Sequence, residues 1–159
     1  MSFQFINVGI ADLGVAKTPD ILRTVLGSCV GICLHDPKAK IAGLSHIMLP
    51  KLSDKNSNEK KYADTAIPLL IEEMKNRGAD AVRLVAKIVG GATMFKISGN
   101  SMMSEIGRNN ISKVKEVLGA LGIEIIAEDT GGNYGRTIDF YSESGVLKIR
   151  SLGREEKVL

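Results

Sequence analysis

Tryptophan is absent from this chain, aromatic residues make up 4% of it, and cysteine and histidine occur only twice each. With few rings, and with lysines scattered rather than gathered beside aromatics, the mild net charge of +3 does not describe a nucleic-acid surface. Two cysteines are too few to staple a small secreted scaffold. The N-terminal MSFQFINVG lacks the basic segment followed by an apolar one that an export signal needs. No hydrophobic run is long enough to span a bilayer. These absences predict a cytoplasmic protein, without membrane insertion and without a nucleic-acid partner. One domain over residues 1–159 is expected, because a chain of that length buries roughly 68–70% of its unfolded surface with no metal or disulfide to help.

What is present is short apolar runs punctuated by turns. Residues 3–10, 24–35, 40–49, 81–89, 123–127, 136–141 and 146–151 read as strands. A helix is predicted from about Tyr62 to Arg77, with Tyr62, Ala66, Leu70 and Met74 as its apolar stripe, Gly78 closing it and Pro68 as a local conflict. A second helix follows Arg108-Asn109-Asn110, carrying Ile111, Val114, Leu118 and Leu121 on one face and Gly122 at its end. The Asn110-Ile111-Ser112 sequon then reads as a helix-capping segment. Residues 51–60, KLSDKNSNEK, form the one extended polar stretch and read as a mobile surface loop. Strands interrupted by two helices predict an α+β domain whose sheet faces are covered by the helices.

Asp36-Pro37-Lys38-Ala39 is a turn-forming cluster between two apolar runs, the pattern of a β-hairpin. A loop centred on Pro37 and Lys38 makes His35 face Lys40 and Cys29 face His46. Facing side chains stand roughly 4.5–5.5 Å apart at Cβ, so a thiol and an imidazole become a candidate nucleophile and base. His35 is set aside, lying roughly 20 Å from Cys29 along the same strand. Cys33 is too far along that strand for an easy bridge to Cys29, so both thiols are expected free. Gly27 and Ser28 allow a substrate close to the backbone, N–H groups near Cys29 can form an oxyanion hole, and Thr24 can orient His46. The competing reading makes Cys29 a small buried hydrophobe and His46 a satisfied interior histidine.

Other constellations are weaker. Cys29, Cys33, His35 and His46 have the inventory of a zinc site but are strung along an extended strand, so neither metal nor cofactor is expected. The Gly-Gly turns in AKIVGGA and AEDTGGN complete no phosphate loop or dinucleotide fingerprint. Glu128-Asp129 reads as turn and solvent chemistry, and Arg108 and Arg136 as structural ion pairing.

Taken together, LGSCVGICLHDP (26–37), GLSHIMLP (43–50), KYADTAI (61–67), AKIVGGATMF (86–95), IGRNN (106–110) and AEDTGGNYGRT (127–137) resemble the CheD family of bacterial and archaeal chemotaxis proteins, the chemoreceptor glutamine deamidases. The resemblance implies a two-sheet α/β sandwich with two main helices, similar to deamidating bacterial toxins. It implies Cys29 as nucleophile, His46 as base and Thr24 as the third catalytic residue, with Gly27 and Ser28 beside the substrate. The implied reaction converts glutamines of methyl-accepting chemotaxis receptors to glutamate through a thioester, with release of ammonia. Partners would be the helical cytoplasmic domains of receptors and a CheC-type phosphatase, with the chain itself a monomer. The block from Gly90 to Phe95 would contribute to a partner or substrate surface. A non-enzymatic module that regulates such a phosphatase is the main alternative, and redox sensing by Cys29 a lesser one.

Overall fold

The computed structural model describes residues 2–54, 57–94 and 101–159, with the backbone alone for 101–104. The elements run β1 (Phe5–Asn7), β2 (Asp12–Lys17), β3 (Ile21–Leu26), β4 (Val30–Asp36), β5 (Ile41–Ile47), α1 (Ala63–Asn76), β6 (Val85–Gly90), α2 (Ser101–Ala120), β7 (Glu124–Thr130), β8 (Arg136–Tyr141), β9 (Leu147–Arg150) and β10 (Lys157–Val158). Short 3-10 turns occupy Glu59–Lys61 and Ala81–Arg83. Two five-stranded sheets result, one in the order β1-β3-β8-β9-β10 and the other β2-β5-β4-β6-β7. The β1/β3 and β6/β7 pairs are parallel and the remainder antiparallel, so both sheets are mixed.

The second sheet is the middle layer. Val30, Ile32 and Leu34 of β4 point to α1 and α2, where they meet Ala66, Leu70 and Val114. Cys33 on β4, with Ala42 and Leu44 on β5, points the other way, into a core shared with Leu22, Ile138 and Phe140 of the first sheet. Period-two alternation thus serves two cores at once, and every residue of β4 and β5 is buried. This is the α+β sandwich expected from the order of elements, with both helices on one face.

Several boundaries differ from those read in the sequence. The run 24–35 is not one strand: β3 belongs to the first sheet, β4 to the second, and residues 27–29 form the corner between them. The stretch 81–89 begins as a 3-10 turn before β6. β2 and β10 lie outside the runs that read as strands. α2 starts ahead of Arg108 and includes it, and Leu121 is 47% exposed beyond the helix end, although Gly122 does take the left-handed conformation there. α1 runs through Pro68, which sits on its exposed side, while Tyr62, Ala66, Leu70 and Met74 are all buried.

Candidate active site

The hairpin register is the first correction. Val30 faces Ile47, Gly31 faces His46 and His35 faces Ala42, so His46 pairs two residues further along than the predicted partner Cys29. The turn explains the slip. Asp36 accepts hydrogen bonds at Oδ1 from the N–H groups of Lys38 and Ala39, and its carbonyl accepts from Lys40, which takes φ of 55°. The aspartate therefore opens the turn with Pro37 in second place, moving the loop centre to Lys38 and Ala39. A shift of two preserves the faces: Gly31 and His46 both look toward the first sheet, as Leu26 and Ile138 beside Gly31 show.

Cys29 lies at the corner that carries the chain from one sheet to the other, buried in the inter-sheet core at 9% exposure. Backbone bonds hold the corner against the end of β6: Ala92 N–H donates to Gly27 O at 3.0 Å and Gly91 N–H to Cys29 O at 2.8 Å. A Cβ at Gly90 would collide with Cys29 O, so glycine is what admits this approach. Between those two carbonyls, Ser28 O accepts from Asn110 Nδ2 at 3.2 Å. Met94 covers Gly27, while Phe95 lies outside the described residues.

Thr24 on β3 meets His46 on β5 across the inter-sheet layer, Oγ1 to Nδ1 at 2.8 Å. The same Oγ1 donates to Val8 O at 2.6 Å. A hydroxyl has one proton and a carbonyl can only accept, so Thr24 must accept from His46 rather than donate to it. His46 therefore carries its proton on Nδ1 and leaves Nε2 as a bare acceptor, buried and without a hydrogen-bond partner among the described residues. Burial pushes His46 down to about 4 and pushes the Cys29 thiol up, the latter partly offset by its own N–H. At rest the Cys29 thiol and the His46 imidazole are both neutral, and no hydrogen bond joins them. A surface depression of about 330 Å³ reaches Thr24 and His46 between Val8, Ile10 and Val25.

Other candidates fall elsewhere. His35 donates from Nε2 to Ser142 O at 2.8 Å, and Cys33, fully buried, faces Lys87 across the β4/β6 pair. Both cysteines are free thiols. No three His, Cys, Asp or Glu among the described residues are grouped to hold a metal. Glu128 and Asp129 belong to β7 rather than to a turn, Glu128 pairing with Lys115 and Asp129 with buried Arg136 and with Lys157. Sequence reasoning missed Val8 and Asn110. Val8 acts through a carbonyl and has no signature. Asn110 read as a helix cap, yet it is a fully buried mid-helix residue.

A family model described as CheD chemotactic sensory transduction matches residues 48–151. A protein of Caldanaerobacter subterraneus subsp. tengcongensis named probable chemoreceptor glutamine deamidase CheD is 55% identical over 100% of both chains. Proteins of the same name from Clostridium novyi and Syntrophomonas wolfei are 54% and 51% identical, covering 96% and 98% of this chain and 96% and 99% of theirs. Among solved structures, a hypothetical protein of Bacillus licheniformis, YfiH, superposes with a TM-score of 0.48 at 15% identity, over 74% of this chain and 49% of its own, so the chain spans about half its length. The matched segment 48–151 begins after Thr24, Cys29 and His46, whereas the relatives align through all three.

Proposed function

The chain belongs to the CheD chemotactic sensory transduction family, and on that premise we propose that it is a cysteine-dependent protein-glutamine deamidase acting on methyl-accepting chemotaxis receptors. The observation that carries this reading is the relay Val8 O, Thr24 Oγ1, His46 Nδ1, which leaves Nε2 unprotonated in the same layer as Cys29. Cys29 lies in the corner two residues before Gly31, the residue opposite His46.

In the proposed reaction Cys29 Sγ attacks the side-chain amide carbon of a glutamine while its proton passes to His46 Nε2. The carbonyl oxygen becomes an oxyanion, received by backbone N–H groups of the Gly27–Cys29 corner. The imidazolium returns the proton to the departing nitrogen, ammonia leaves, and a thioester joins substrate to Cys29. Water, deprotonated by His46, attacks the thioester through a second oxyanion, expels the thiolate and leaves glutamate. The depressed His46 makes its imidazolium a strong acid toward the leaving amine. Gly27 and Ser28 would flank the substrate, and no metal or cofactor enters.

The substrate is taken to be a helix of the receptor's cytoplasmic domain, and residues 1–159 one catalytic domain working as a monomer in the cytoplasm. No described helix is long and apolar enough to cross a membrane. Ile10 and Val25, 59% and 66% exposed at the rim of the depression, give such a helix an apolar seat. They also give footing to the regulatory reading, in which a CheC-type phosphatase sits there; binding of that phosphatase by Cys29→Ala would mark that role. Incubation of purified protein with a receptor cytoplasmic fragment, followed by peptide mass spectrometry, tests the enzymatic reading. Glutamine-to-glutamate conversion at defined sites is expected; receptors left unchanged would refute it.

A further inference from the structure

Three successive carbonyls at the Cys29 corner are tied down, two by backbone and one by a side chain. Gly27 O and Cys29 O accept from the N–H groups of Ala92 and Gly91. Ser28 O, the carbonyl of the peptide that ends in the Cys29 N–H, accepts from Asn110 Nδ2. In a planar trans peptide the N–H points opposite to the C=O. Drawing the Ser28 carbonyl toward α2 therefore turns the Cys29 N–H away from α2, to the side of its own thiol, whose charged form it favours.

The same Nδ2 donates to Met48 O at 2.9 Å, two residues beyond His46. Two carbonyl acceptors fix which end of the amide faces them. Asn110 Oδ1 is left buried with no partner among the described residues, an arrangement that an apolar side chain on this buried helix face would avoid. The helix is brought this close by Gly107, one turn earlier, whose missing Cβ leaves room for Gly91 O and Ala92 O, while Ile111 packs over Gly91. A buried amide whose two protons go to the segments bearing the thiol and the imidazole is placed for those segments rather than for the helix.

We infer that Asn110 is a positioning residue: its one NH2 group sets the Ser28–Cys29 peptide so that the Cys29 N–H faces the oxyanion, and it holds the chain leaving His46 in register with that corner. The inference rests on the deamidase reading above. Without Asn110 the peptide loses its side-chain donor on Ser28 O, and its N–H is no longer held toward the reacting carbonyl. Alkylation of the thiol by iodoacetamide develops no oxyanion and feels that N–H only through its partial offset of the thiol's burial, the lesser of the two effects.

The test compares Asn110→Ala and Asn110→Ser with wild type in kcat and KM for receptor deamidation and, separately, in the rate of Cys29 alkylation by iodoacetamide located by peptide mapping. The expected result for Asn110→Ala is a fall in kcat of about 30- to 300-fold, with KM and the alkylation rate within about threefold. Asn110→Ser, which keeps one donor, falls between. Unchanged kcat, a parallel loss of turnover and alkylation, or failure of both variants to fold would overturn the inference, the last by making Asn110 a strut. Wild type that alkylates at Cys29 yet converts no receptor glutamine would refute the deamidase reading instead.

Discussion

Thr24 and His46 share a hydrogen bond of 2.8 Å whose direction is dictated by a third group, the Val8 carbonyl that takes the threonine's proton. That direction sets the tautomer of His46 and hence which ring nitrogen is a base. Thr24→Val removes the acceptor for Nδ1–H and orphans the Val8 carbonyl, so kcat for deamidation is expected to fall at least about tenfold while KM stays near wild type. The lost bonds should lower stability by about 1–2 kcal/mol. Thr24→Ser keeps the oxygen and should retain turnover within about threefold. Steady-state kinetics of the two variants, beside thermal melts, check this.

Burial of His46 has a second consequence, for stability against pH. Its folded value near 4 lies below the unfolded value of about 6.5, so the unfolded chain binds the extra proton first. Stability is therefore full above about 6.5 and falls as pH drops toward 4, by as much as about 3 kcal/mol for the imidazole alone. His35 is shifted the same way by burial and adds to the slope, while Asp36, held low against its burial by Arg83, begins to lose its stabilising contribution only as pH falls into the ordinary carboxylate range. Urea unfolding from pH 4 to 7 should show a shallower slope for His46→Gln than for wild type.

The hairpin shows how far the sequence could be read. Cys29, His46 and Thr24 are all visible as residue types, and because the expected and observed registers differ by two residues both put Gly31 and His46 on one face. The register is set by something finer, the Asp36 carboxylate capping two amides, which moves the turn by one position. The corner at residues 27–29 was hidden for a different reason. β3 and β4 are both β-rich and apolar because each buries side chains in the same inter-sheet core, so nothing in composition marks the change of sheet. Asn110 was hidden because an asparagine before an apolar helical stripe reads as a cap, and only the approach of α2 to the corner reveals its other use.

Two glycines of α2 predict opposite outcomes for one substitution. Glycine within a helix ordinarily gives way to alanine with a gain of about 0.5–1 kcal/mol. Gly119 has open space where a Cβ would stand and should show that gain. At Gly107 the Cβ would collide with the backbone oxygens of Gly91 and Ala92, so Gly107→Ala should cost about 1–3 kcal/mol and displace the segment that holds the Cys29 corner. Thermal melts of the pair decide it, and reduced deamidation by Gly107→Ala at temperatures where it stays folded would tie the packing to the site.

The most direct measurement sets Cys29→Ala against Cys33→Ala on the same receptor fragment, with glutamate formation followed by mass spectrometry. Both thiols are buried and free, four residues apart, but only Cys29 stands at the corner between β3, which carries Thr24, and β4, which pairs with the strand of His46, while Cys33 faces Lys87 in the β4/β6 pairing. Loss of conversion by at least about a thousandfold is predicted for Cys29→Ala, with Cys33→Ala within about threefold of wild type. Conversion that persists in Cys29→Ala, or an equal loss in a folded Cys33→Ala, would contradict the account.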